Sequence, residues 1–91
     1  MFNLVFTEEF EKNFDKLKDR ENQRRILKKV MELKKNPNLG RMLTGIQDES
    51  FGKIYRLRIG KYRIIYAIKH ETNEIYLITL GHRENIYDRM Q

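Results

Sequence analysis

The segment that decides the fold covers residues 53–69 and reads KIYRLRIGKYRIIYAIK. It contains six lysines and arginines and no acidic residue. Side chains alternate on both sides of Gly60-Lys61, which predicts two strands, 54–59 and 62–69, joined by a two-residue turn. Gly60 suits such a turn because glycine adopts the positive φ that tight hairpins require. The segment therefore predicts a strongly cationic β-hairpin.

The register of this hairpin brings arginines together. The turn sets Arg58 directly opposite Arg63, and like charges in that position destabilise a sheet. Arg56 has the same parity, and Arg83 ends the next strand near the turn. Guanidinium groups bind phosphate through paired hydrogen bonds and stay charged at physiological pH. The pattern predicts a phosphate-binding sheet face, with ordinary solvated arginines as the alternative.

The remaining pattern predicts one α+β domain over residues 1–91. A short N-terminal strand precedes an antiparallel αα-hairpin, which packs on one face of a three-stranded antiparallel β-meander (β-α-α-β-β-β) before a short C-terminal turn or helix. The expected bounds are a strand at 2–6, helices at 7–17 and 22–35 separated by a turn at 18–21, an irregular loop at 39–52, and strands at 54–59, 62–69 and 75–82. Matching the apolar faces of the last two strands predicts three cross-strand pairs: Lys69 with Ile75, Tyr66 with Ile78, and Ile64 with Leu80.

Composition narrows the kinds of site and partner. The formal net charge is +6 and the isoelectric point is near 9.7, which favours anionic partners such as nucleic acid. Cysteine is absent, so disulfides and thiolate metal sites are excluded. No apolar run approaches the length of a membrane span, and the N-terminus does not read as a signal peptide. We expect a cytoplasmic protein with no metal and no cofactor.

Two further groups of residues could take part in chemistry. His82, Glu84 and Tyr87 lie at or just after the end of the last predicted strand, where a histidine or a tyrosine among arginines could move a proton. A core-edge role for His82 and a packing role for Tyr87 are the alternatives. The second helix also carries many cations, which form either a solvated surface or a second nucleic-acid contact: Arg24, Arg25, Lys28, Lys29, Lys34 and Lys35.

Together these segments resemble the RelE/ParE superfamily of toxins from type II toxin–antitoxin modules. The resemblance rests on YRLRIGKYRIIY at residues 55–66 and GHRENIY at residues 81–87, and it extends to FTEEFEKNFDKL at residues 6–17 and NPN at residues 36–38. It implies a single toxin domain. If the chain is of the RelE type, it implies an endoribonuclease that enters the ribosomal A site and cleaves messenger RNA without a metal.

The resemblance also implies roles for individual residues. Arg58, Arg63 and Arg83 would stabilise the reacting phosphate, and Tyr87 would act as general base, with His82 or Glu84 as alternatives. The residues that would bind RNA phosphate are Lys53, Arg56, Lys61 and His82. The implied partners are the ribosome, messenger RNA and a cognate antitoxin protein. The main alternative is a ParE-like toxin that inhibits DNA gyrase without cleaving RNA.

Overall fold

Two helices and five strands make up residues 1–83, the part of the chain that the computed structural model describes. In chain order they are β1 (Asn3–Phe6), α1 (Glu8–Asp15), α2 (Arg20–Leu33), β2 (Arg41–Asp48), β3 (Gly52–Ile59), β4 (Tyr62–Lys69) and β5 (Glu74–His82). The predicted α+β fold is confirmed, with one more strand than expected. The predicted C-terminal turn or helix lies outside the described residues.

Both helices begin at residues that cap them with side-chain oxygens. Thr7 Oγ1 accepts a hydrogen bond from the Phe10 backbone N–H at 3.1 Å, as its position before Glu8-Glu9 predicts. Asp19 caps α2 in the same way, so this helix begins at Arg20, and the connection between the helices covers residues 16–19 instead of the expected 18–21. Within residues 1–83, neither helix combines the length and the apolar character needed to cross a membrane.

The sheet is mixed and has the strand order β1-β5-β4-β3-β2. β1 pairs with β5 in parallel, whereas the other neighbouring strands are antiparallel. Both helices cover one face, which we call the covered face. Its buried core comprises Phe10, Ile26, Val30, Leu33, Leu57, Ile59, Ile64, Tyr66, Ile75, Leu77 and Leu80.

The opposite, open face carries a second and smaller apolar cluster. Four buried residues form it, namely Ile54, Ile65, Ala67 and Ile78. The sheet therefore divides β3 and β4 by parity, with one set of side chains under the helices and the other set on a face that the helices leave free.

The prediction of an irregular loop over residues 39–52 is wrong, because this segment contains β2. Met42 lies opposite Tyr55 and Gln47 lies opposite Lys53, so residues 43–46 form an irregularity in the ladder. Gly45, with a φ of +79°, allows the chain to bend there. The irregularity interrupts the period of two that identifies a strand in sequence, and it lets residues 43 and 46 pack on the open-face cluster.

A bulge also changes the predicted register between β4 and β5. Ile64 lies opposite Leu80, as predicted, but the register shifts between Ile65 and Tyr66. The predicted pairs Lys69–Ile75 and Tyr66–Ile78 are therefore wrong by one residue. The observed pairs beyond the bulge are Tyr66 with Leu77, Ala67 with Tyr76, Ile68 with Ile75, and Lys69 with Glu74.

Candidate active site and RNA-binding surface

The β3–β4 turn has the predicted geometry. Gly60 has a φ of +57°, and Ile59 lies opposite Tyr62. Arg58 and Arg63 are consequently direct cross-strand partners. Two guanidinium side chains thus leave neighbouring backbone positions on the open face, at the end of the sheet where the turn lies.

The two arginines of this pair differ in environment. Arg58 is exposed, whereas only 7% of the Arg63 surface is accessible. Arg63 Nη1 donates hydrogen bonds to the carbonyl oxygens of Gly60 and Tyr62, each at 2.9 Å. Arg63 therefore holds the turn through its guanidinium while adding positive charge beneath Arg58.

The end of β5 joins the same turn through the backbone. The Arg83 N–H donates to the Lys61 carbonyl at 2.8 Å, so this exposed arginine starts from a position beside the turn. From α2, the Arg25 guanidinium lies 3.3 Å from the place that a Cβ on Gly60 would occupy. Of the α2 cations, Arg25 is thereby brought to the turn. We call Arg25, Arg58, Lys61, Arg63 and Arg83 the turn cluster.

His82 lies next to this cluster but on its covered side. It pairs with Tyr62, and the two rings meet edge to face with centroids 5.9 Å apart. The Tyr62 ring itself packs against the covered-face core, so parity places the half-buried His82 there as predicted. This contact fits the core-edge alternative for His82.

Lys53 is not part of the turn cluster. It pairs with Gln47 at the other end of β3, about 17 Å from Arg58 at ~3.4 Å per residue. Its expected contact with RNA stays a prediction. Glu84 and Tyr87 lie outside the described residues, and so do their predicted roles in proton transfer.

The structure adds one cation that the sequence did not single out for this surface. Arg41, the first residue of β2, lies directly opposite Arg56 and forms a second like-charge pair. A groove of about 440 Å³ opens beside this pair, and we call it the cationic groove. Its lining residues are Lys29, Leu39, Gly40, Arg41, Arg56, Leu57 and Arg58. Arg41 was missed because it lies within the segment that was predicted to be a loop.

A buried tyrosine fixes the floor of this groove. Tyr66 Oη donates to the Pro37 carbonyl at 2.8 Å and accepts from the Gly40 N–H at 2.9 Å. Burial raises the pKa of the Tyr66 phenol to about 12, so the donating proton stays in place at neutral pH. Gly40 passes so close to β3 that a Cβ there would meet the Arg56 carbonyl oxygen at 2.5 Å.

Residues 1–83 contain no cluster of three or more histidine, cysteine, aspartate or glutamate side chains that could hold a metal ion. Within this range, cations dominate the open face near the turn. From Lys53 to His70 the sequence has no carboxylate that could neutralise them. Such a surface can bind a phosphodiester and stabilise negative charge that develops on its oxygens.

Comparison with known proteins agrees with this architecture. One chain of the RelBE toxin–antitoxin complex from E. coli is 23% identical, with a TM-score of 0.73 over 90% of this chain and 96% of that chain. The RelBE2 complex from Mycobacterium tuberculosis gives 21% identity and a TM-score of 0.75 over 90% and 98%. A YoeB/ParE toxin from Agrobacterium tumefaciens gives 15% identity and a TM-score of 0.67 over 89% and 98%.

These identities establish a shared fold. No protein of curated function matches the sequence significantly. The family described as ParE toxin of type II toxin–antitoxin system, parDE, matches residues 4–87, which is nearly the whole chain. The chain therefore belongs to the ParE toxin family, within the RelE/ParE superfamily of type II toxins.

Proposed function

We propose that this toxin is a ribosome-dependent endoribonuclease that cleaves messenger RNA in the A site and so arrests translation in the cytoplasm. One observation carries the proposal. The exposed Arg58 stands opposite the buried Arg63 at a turn whose Lys61 carbonyl is bonded to the Arg83 N–H. This cationic cluster lies on a strand pair without carboxylates, where a phosphate has the strongest complement of charge.

The proposed reaction needs a general base, a proton donor and stabilisation of negative charge. The ribose 2′-hydroxyl attacks the adjacent phosphorus and gives its proton to a general base. The bond from phosphorus to the 5′-oxygen breaks, and this oxygen takes up a proton. The products are a 2′,3′-cyclic phosphate and a 5′-hydroxyl. Negative charge grows on the non-bridging oxygens during the attack, and fixed cations lower the barrier most at that point.

The environments of the arginines suggest how these catalytic roles are divided among them. Arg58 and Arg83 are exposed and can contact the non-bridging oxygens. Arg63 acts as a positioning residue, because its Nη1 is bonded to the turn carbonyls, and its charge adds to the field at the phosphate. A guanidinium gives up its proton reluctantly, so we assign Arg83 chiefly to charge stabilisation. Tyr87 remains the proposed base, with Glu84 as an alternative.

Inhibition of DNA gyrase is the second candidate function. The matching family is named for ParE, and this observation favours that alternative. The fold serves both kinds of toxin, so fold likeness does not choose between them. We favour RNA cleavage because a toxin that acts only by binding gyrase has no chemical need for several arginines around one turn.

We further propose an antitoxin partner that covers the cationic surface. Two of the similar solved structures are toxin–antitoxin complexes. An antitoxin segment with acidic side chains would complement Arg56 and Arg58. Reversing either arginine to glutamate is expected to weaken the complex, which isothermal titration calorimetry with the cognate antitoxin would measure. An unchanged affinity would assign antitoxin binding to another surface.

The deciding experiment combines purified ribosomes, a defined messenger and the purified toxin. We expect cuts within A-site codons that leave a 2′,3′-cyclic phosphate and a 5′-hydroxyl, as end mapping would show. Arg83→Ala should lower the cleavage rate by about 100- to 1000-fold, the usual loss for one such stabilising group. Arg24→Ala, an exposed α2 arginine paired with Glu21, is the matched control and should cleave normally.

The same preparation should be assayed for inhibition of gyrase supercoiling. An intact messenger together with blocked supercoiling would replace our proposal by the second candidate. Cleavage of the messenger with normal supercoiling would support RNA cleavage as the toxic activity.

A further inference from the structure

The cationic groove extends the positive surface away from the turn cluster. Lys29 enters it from α2, Arg41 from β2, and Arg56 and Arg58 from β3. No acidic residue of the described chain lines it. Lys29 Nζ lies 3.5 Å from Glu32 Oε2, but an exposed ion pair of this kind is weak and can be exchanged for a phosphate contact.

The backbone around the groove is held in place before any ligand arrives. The Tyr66 phenol bonds to both Pro37 and Gly40 and so fastens the segment that leads into β2. Gly40 then lies against the Arg56 carbonyl, which sets Arg41 directly opposite Arg56. Two adjacent arginines on a fixed backbone form a prepared site for an anion.

The groove also coincides with the end of a ladder. In the described chain, the pairing of β2 with β3 ends at Arg41–Arg56, so β3 continues toward the turn beyond its last β2 partner. Arg56 and Arg58 share a face of β3 and are separated by two residues, about 7 Å along the strand. An extended polyanion lying along this edge would meet Arg56 and Arg58 in succession.

We propose that the cationic groove is a binding subsite for the phosphodiester backbone of single-stranded RNA next to the cleaved nucleotides. The inference rests on the proposed function and extends it. Arg58 belongs to both the turn cluster and the groove. An RNA strand that leaves the reacting phosphate along β3 therefore passes Arg58 and then Arg56 and Arg41. Lys29 lies on the opposite side of the groove.

Continuity favours RNA over an acidic polypeptide as the occupant. The groove begins at a residue of the proposed active site, and four of its seven lining residues are cations. A charged channel that follows a backbone is how proteins hold single-stranded nucleic acid without reading its bases. The groove should therefore add affinity while discriminating little between sequences.

The test measures how the affinity for RNA depends on salt. Fluorescence anisotropy with a labelled oligouridylate gives the dissociation constant of the full-length protein over a range of salt concentrations. The test variant is Lys29→Gln/Arg41→Gln. The control is Lys12→Gln/Lys16→Gln, which removes the same charge from exposed positions that do not line the groove. Thermal denaturation verifies that both variants are folded.

We expect the groove variant to lose about 1.4 from the slope of log affinity against log salt, since each phosphate contact on a single strand contributes ~0.7. The control should keep the wild-type slope. Equal slopes for the two variants would overturn the proposal, because they would reflect net charge alone. A loss of polyglutamate binding with unchanged oligouridylate binding would also overturn it, in favour of an acidic polypeptide.

The binding of RNA to the groove and the proposed nuclease activity can be refuted independently of each other. Cleavage on ribosomes by the wild-type protein, with equal slopes in the binding assay, would refute the groove and keep the nuclease. A reduced slope in the groove variant without any cleavage by the wild type would keep the groove as an RNA site and refute the nuclease.

Discussion

The two faces of the sheet carry different kinds of side chain. The covered face buries eleven core residues from helices and strands, and most of these are fully inaccessible. The open face buries four apolar residues and carries Arg56, Arg58 and Arg63 on the same strands. Successive residues of β3 and β4 alternate between these faces. A residue that contributes to the core under the helices is therefore followed directly by one that lies on the open face.

This separation explains how the protein keeps two like-charge pairs. Arg58 opposite Arg63 and Arg41 opposite Arg56 each oppose folding by about 0.2–1 kcal/mol. A buried Ile or Leu contributes more than that to the covered face. The core can therefore compensate for the repulsion between these arginines, at a modest cost in stability.

Truncation of neighbouring side chains on opposite faces should give the largest difference in stability between the two faces. Ile64 belongs to the covered-face core and Ile65 to the open-face cluster, with 0% and 1% of their surfaces accessible. We expect Ile64→Ala to lower the free energy of unfolding by about 2–5 kcal/mol, which is typical of the truncation of a buried aliphatic side chain. Ile65→Ala should cost clearly less, because the smaller cluster can collapse into the space. Urea denaturation measures both values, and equal losses would contradict the proposed asymmetry.

A second test separates charge from structure within the Arg58–Arg63 pair. Both Arg58→Ala and Arg63→Ala should lower cleavage on ribosomes by about 100- to 1000-fold, since each removes a cation from the turn cluster. Their stabilities should differ. Arg58→Ala relieves the like-charge contact and should leave stability unchanged or raised by up to about 1 kcal/mol.

Arg63→Ala should instead lower the free energy of unfolding by about 1–3 kcal/mol, because the carbonyls of Gly60 and Tyr62 lose a charged donor. Urea denaturation of both variants measures the difference. If Arg58→Ala were as destabilising as Arg63→Ala, the division between a positioning arginine and a contacting arginine would be wrong.

The hairpin was predictable because two local signals agree. Alternation defined β3 and β4, and the glycine with positive φ defined the turn, so the Arg58–Arg63 pair followed from the sequence. Parity assigns a side chain to a face, but it does not give its rotamer. The burial of Arg63 and its bonds to the turn carbonyls therefore became visible only in three dimensions.

Two irregularities hid the rest from the sequence. Residues 43–46 break the period of two in β2, so the strand and its Arg41 were missed. The shift after Ile65 displaced the predicted β4–β5 pairs by one residue. Both irregularities depend on which residue lacks a partner on the neighbouring strand. Side-chain packing across the sheet determines that residue, and the local sequence does not show it. The cationic groove depends on β2 and could not be predicted without it.

The third test concerns the close approach that forms the groove floor. A Cβ on Gly40 would meet the Arg56 carbonyl at 2.5 Å and the Tyr66 hydroxyl at 2.8 Å. Gly40→Ala should therefore lower the free energy of unfolding by about 1–3 kcal/mol, as overpacking usually does. Gly45→Asn is the control, because a Cβ there meets nothing within 4 Å and asparagine adopts a φ near +79° at a smaller cost than most other residues. Similar losses in both variants would show that the approach is not tightly packed.

The smallest effect at neutral pH, and the most specific, concerns Tyr66. Burial raises its pKa from 10.0 to about 12, so the folded protein holds this proton more tightly than the unfolded chain does. The resulting stabilisation is complete below pH 10 and is lost as the pH rises toward 12. Tyr66→Phe removes the ionisable group, and its stability should fall less steeply over that interval than the stability of the wild type.

Urea denaturation at several alkaline pH values measures this difference in slope. Tyr62→Phe is the matched control, because Tyr62 packs on the same covered-face core and its substitution leaves the Tyr66 hydroxyl bonded to Pro37 and Gly40. The control should keep the wild-type slope. If Tyr66→Phe also kept it, the phenol would titrate alike in the folded and unfolded chains.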